Sequence, residues 1–126
     1  MSDILRMLLA ADATDVAKNL PTKRFEVPRL SKDVGTPVVF TLRALPYGRV
    51  QDIRAMKDTE QEVNILLGGC IDPDLKASEL QEFYCVPTPV DAVRSLLLPG
   101  EISDLAMEVE RLSGYRRRTI EEVKND

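Results

Sequence analysis

Leu-Leu-Leu-Pro-Gly-Glu-Ile-Ser-Asp-Leu-Ala-Met-Glu-Val-Glu-Arg-Leu-Ser-Gly, residues 96–114, is the stretch whose reading decides the fold. At about 100° per residue, Ile102, Leu105, Ala106, Val109 and Leu112 fall on one stripe. Ser103, Asp104, Glu108, Glu110 and Arg111 point away from it. Pro99 and Gly100 break the preceding apolar run, and Glu101 places a carboxylate on the first turn, where unpaired amides favour negative charge. Gly114 follows as a left-handed stop. Burying the large side chains of this stripe contributes roughly 1.5–3 kcal/mol each before entropy is subtracted. The pattern predicts one buried helix at the centre of a small domain, and the rest of the chain has to cover its stripe.

The whole composition narrows what that domain does. At 126 residues the chain is one domain in size, 1–126, long enough for an independent core. A net charge of −4 and an isoelectric point near 4.9 disfavour a general nucleic-acid binder, which needs a basic face against phosphates. The expected partners are proteins. No apolar run reaches the roughly 18 residues of a membrane span. The Ile4 to Ala11 segment carries Arg6 and follows Asp3, unlike a secretion signal, so a cytosolic location is expected. Cys70 and Cys85 are too few for a disulfide scaffold and read as small, reduced core residues.

Taken in order, the chain opens with a helix that Ser2 can cap and whose Ile4, Leu5, Met7, Leu8 and Leu9 cover a very wide arc. Two readings stand side by side: core packing, or a docking surface for another subunit or client. Residues 12–19 suit a second short helix ended by Leu20-Pro21. Phe25 and Val27 alternate with Arg24 and Glu26, suggesting a strand over 23–30 that Pro28 confines to an edge or bulge. Residues 31–37, with Gly35, supply the turn. Val38, Phe40 and Leu42 then alternate with Val39, Thr41 and Arg43, making the pair an antiparallel hairpin on which helices must pack.

Pro46 suits a helix start, with Tyr47, Val50 and Ile53 on one face. Thr59 and Glu62 have capping-box spacing, and Val63, Leu66, Leu67 and Cys70 would face inward on the helix that follows. A strand through Val63, Ile65 and Leu67 is the alternative, and Gly68-Gly69 can end either element. Asp72-Pro73-Asp74 reads as a turn, and Ser78 with Gln81 gives another capping signal before a short helix to about Tyr84. Thr88-Pro89-Val90-Asp91 is the cleanest helix start: an N-cap threonine, proline at the first helical position and a carboxylate over unpaired amides. That helix carries Val90, Val93, Leu96 and Leu97 into the opening stretch. Beyond Gly114, residues 115–126 are expected to be a mobile or loosely docked polar tail.

Catalytic chemistry is unsupported. The chain has no histidine, which removes the commonest general base, the usual zinc nitrogen ligand and every histidine-activated nucleophile. Gly68-Gly69 is not followed by the Gly-Lys-Ser/Thr of a phosphate loop. Asp72 and Asp74 lack the further oxygen ligands of a calcium loop and serve better as turn residues. Glu121 and Glu122 offset Arg116-Arg117-Arg118, and Tyr115 is the one aromatic beside them, so that segment reads as solvated. The expectation is no catalytic residue, no metal and no cofactor.

Several motifs, in this order and spacing, carry a resemblance: Asp72-Pro73-Asp74-Leu75, Thr88-Pro89, Leu96 to Ile102, Leu112-Ser-Gly-Tyr115 and Glu121-Glu-Val-Lys-Asn125. With the short apolar helix before Leu20-Pro21, they resemble the XkdN-like family of phage and prophage tail assembly chaperones across nearly the whole chain. The resemblance implies a non-catalytic protein of the bacterial host cytoplasm that coats the long helical tape measure protein and helps recruit tail tube protein. It also implies a longer frameshifted form, and homo-oligomers are compatible with it. A structural tail or adaptor component that stays in the particle is the alternative. A client helix exposes aggregation-prone stripes, so the chaperone needs an apolar docking surface, and Ile4, Leu5, Leu8 and Leu9 are the candidate partner-binding residues. The expected fold is α+β: a mostly helical small domain with one antiparallel β-hairpin.

Overall fold

The computed structural model describes residues 3–11 and 15–124. Along the chain run α1 (Asp3–Ala10), a 3₁₀ turn (Val16–Lys18), β1 (Thr22–Glu26), α2 (Pro28–Val34), β2 (Val39–Arg43), α3 (Tyr47–Arg54) and α4 (Asp58–Gly69). Then follow β3 (Cys70–Asp72), α5 (Ser78–Tyr84), α6 (Pro89–Leu96) and α7 (Pro99–Leu112). The architecture is α+β, with the strands in one antiparallel sheet of order β1-β2-β3. No helix among the described residues is long and apolar enough to cross a membrane.

The central helix is α7. Ile102, Leu105, Ala106 and Val109 are buried and Leu112 is partly so, as the stripe requires. Gly114 ends it at φ 95°, and the Tyr115 N–H returns to the Glu110 carbonyl at 2.9 Å. The cover comes chiefly from α4, through Val63, Leu66 and Leu67, with β2 beneath. Ser103 on α7 donates to the Glu62 carboxylate on α4 at 3.0 Å. A Cβ at Gly69 would sit 2.5 and 2.6 Å from the two γ-methyls of Val109 and 3.0 Å from the Arg43 carbonyl. The glycine therefore permits the close crossing of α4 over α7 as well as marking the end of a helix. The helical reading of 58–69 holds, and the strand alternative through Val63 to Leu67 does not.

β1 and β2 pair antiparallel as expected, with Phe25 opposite Phe40 and Lys23 opposite Leu42. Their connection differs from a hairpin turn. Pro28 opens α2 at its first position, where a missing N–H is no loss, so it neither continues a strand nor makes a bulge. Ser31 staples the base of this connection: its hydroxyl donates to the Val27 carbonyl at 3.2 Å and accepts the Val38 N–H at 2.9 Å. Leu30 is thereby buried on α2, and Gly35 at φ 89° closes the helix. The third strand, β3, places Cys70 opposite Leu42 and Asp72 opposite Thr41.

Several predicted caps shift. Lys57 is the N-cap of α4, so Thr59 and Glu62 lie inside it, and the Gln61 amide donates to the Met56 carbonyl at 3.0 Å instead. Ala77 precedes α5, and the Ser78 hydroxyl donates to the Glu79 carboxylate rather than closing a box with Gln81. Tyr47 is exposed while Val50 and Ile53 are buried. Thr88 does cap α6, accepting the Asp91 N–H at 3.1 Å with Pro89 just inside. The buried side chains form one cluster in which Phe40, Leu42, Leu66, Val93 and Val109 are fully enclosed.

Candidate partner-binding surface

α1 buries none of its residues. Ile4 is 68% exposed, Leu5 45%, Met7 66%, Leu8 52% and Leu9 66%. At about 100° per residue these side chains span an arc of roughly 200°, leaving a narrower stripe of the charged Asp3 and Arg6 with the small Ala10. Leu8 lies at the centre of that arc between Ile4 and Leu5, with Met7 at one margin and Leu9 at the other. None belongs to the core, so the core-packing reading fails for α1. Ser2 lies outside the described residues, as do 12–14 within the expected second helix. What remains of that helix is the 3₁₀ turn, capped by Asp15, whose carboxylate accepts the Ala17 N–H at 3.0 Å.

A charged clamp that the sequence did not announce fixes the corner between α6 and α7. Arg29 on α2 donates to Glu101 through Nε at 3.2 and 3.1 Å and through Nη2 at 2.8 Å, and Nη2 also reaches the Leu96 carbonyl at 2.7 Å. Glu101 in turn accepts the Leu98 N–H at 2.7 Å at the start of α7. Hydrogen bonding to Arg29 is the main cause that holds the Glu101 carboxyl below its ordinary pKa, against a smaller opposing effect of burial. The partners are 72 positions apart, beyond any local sequence signal.

Cys70 is half-buried, and its thiol is pushed up to about 12 by burial. Cys85 is exposed at φ 55°, correcting its expected place in the core. Asp74 accepts the Lys76 N–H at 3.0 Å, making the expected turn, and the Asp72-Pro73 bond is cis. Arg116 pairs with Glu110 at 3.1 Å, Arg117 donates to the Arg111 carbonyl at 2.7 Å, and Arg54 lies 5.3 Å over the Tyr115 ring. Two of the three consecutive arginines thus dress the end of α7, while Ile120 and Val123 stay exposed. No group of three or more metal-ligating side chains occurs among the described residues.

The crystal structure of the protein yqbn is similar in fold, with a TM-score of 0.60 and 23% identity over 77% of this chain and 89% of that one. No functionally curated protein matches. The family description "Phage XkdN-like tail assembly chaperone protein" matches residues 5–125, reaching from α1 through the segment beyond α7. With that match over nearly its whole length, the chain belongs to the XkdN-like phage tail assembly chaperones.

Proposed function

We propose that this chaperone holds a tape measure protein through the apolar face of α1 and promotes tail tube assembly without catalysis, in the host cytoplasm. The observation that carries the reading is α1 itself, a helix with a wide apolar arc and no buried residue. Water-exposed apolar area of this kind is the usual mark of a protein-binding surface. A long client helix offers the complementary stripe, and an amphipathic helix laid on another buries both. The net charge of −4 keeps the chaperone soluble while that face is open. Residues beyond Gly114 serve as a polar extension at which a longer form and its contact with tail tube protein are accommodated.

The test is co-expression with the tape measure protein and affinity capture. Ile4→Asp with Leu8→Asp should abolish capture while circular dichroism and unfolding midpoint stay unchanged, because α1 contributes nothing to the core. Undiminished capture would overturn the role of α1. Stoichiometric recovery of the wild-type chain in finished tails would make it a structural component instead.

A further inference from the structure

We propose that the outer edge of β1 pairs with β1 of a second copy of this chain, joining two sheets across a two-fold axis. The ladder to β2 sets which groups are available. Val27 donates to Val38 at 3.0 Å and Ala44 donates to Pro21 at 2.9 Å, so the odd-numbered residues of this segment bond to β2. Thr22, Arg24 and Glu26 consequently direct their N–H and C=O groups outward, and none of them makes a further backbone bond among the described residues. An open edge of this kind is a template for another strand.

Charge selects the occupant and its register. In antiparallel self-pairing, centring the axis on Arg24 sets like charges against each other, which is unfavourable. Centring it on Phe25 sets Arg24 opposite Glu26 of the second copy, twice by symmetry. Phe25 then faces Phe25 of the second copy as a non-hydrogen-bonded pair, with Cα atoms about 4.5 Å apart. Phe25 is half-buried on the same side as Phe40 and Leu42, beside an open cavity of about 160 Å³ that Val27 and Leu105 also line. The cleft is open to solvent, with Val27, Pro28 and Leu105 as its apolar part and the carboxylates of Glu26, Glu101, Asp104 and Glu108 around it, so the incoming Phe25 ring lies against the apolar part. One register therefore satisfies the open backbone, pairs both charges and covers the apolar part of the cleft beside Phe25. The pairing does not depend on α1 or on its client.

Sedimentation velocity of the full chain from about 1 to 300 µM covers the weak range expected of so small an interface. The wild type should dimerise. Arg24→Glu and Glu26→Arg should each weaken association about tenfold or more, and the two together should restore it. Circular dichroism monitors folding of each variant. Phe25→Cys in a Cys85→Ser background should give an oxidised covalent dimer, because the expected Cα spacing lies within disulfide reach. A chain that stays monomeric throughout, single and double charge variants that behave alike, or a Phe25→Cys variant that dimerises without forming the covalent cross-link would each overturn the proposal.

Discussion

Gly69→Ala tests the crossing on which the fold rests. The new methyl would lie 2.5 and 2.6 Å from the γ-methyls of Val109, where carbon atoms prefer about 3.5–4.0 Å. The relief needed is about 1 Å, and Val109 is fully buried. The Arg43 carbonyl, 3.0 Å away, blocks movement toward the sheet. Overpacking of this kind costs about 1–3 kcal/mol, against a helix gain of about 0.5–1 kcal/mol from replacing glycine. The net expectation is a destabilisation of about 0–2.5 kcal/mol, and of about 1–3 kcal/mol relative to a glycine replacement that meets no neighbour. Urea unfolding reads it as a lower midpoint with an unchanged slope. Gly100→Ala is the control: it also lies in a helix, but nothing is within 4 Å of its added carbon, so it should be neutral or mildly stabilising. Adding Val109→Ala to Gly69→Ala should cost less than the two single changes summed, because the clashing methyls are gone. If Gly69→Ala matched Gly100→Ala within about 0.5 kcal/mol, α4 and α7 would not cross this closely and the reasoning would fail.

The Arg29–Glu101 clamp should leave a pH signature. The folded pKa of Glu101 is depressed, so its contribution is fully present above its unfolded value of about 4.3 and is lost as pH falls through the folded value. The stability difference between wild type and Glu101→Gln should be flat above about pH 5 and shrink on acidification; a difference constant across the acid range refutes the linkage. The thiols should separate kinetically: near pH 8 an aromatic disulfide reagent should modify exposed Cys85 quickly and Cys70 only on unfolding, because burial holds Cys70 up to about 12. Equal rates in the native protein would show that the Cys70 environment is open.

What the sequence alone determined was whatever local spacing encodes. The α7 stripe, the Thr88-Pro89 cap and the β1–β2 pairing are written within about one turn or one strand of themselves; the first two lie where the sequence placed them, and the strand expected over 23–30 does so only as far as Glu26. The apolar arc of α1 was equally legible, but whether anything covers it was not, because cover is a property of the packed chain. Tertiary structure also decided the segment at Pro28, which suits a strand edge or a first helical turn equally well until Leu30 finds the core. β3 is too short to show alternation and exists because the end of α4 delivers it to β2. The same holds for Gly69, whose missing side chain has meaning only against Val109, and for Arg29, whose partner lies 72 positions away. Contacts between distant residues depend on how the elements pack, and no short window of sequence contains both sides of them.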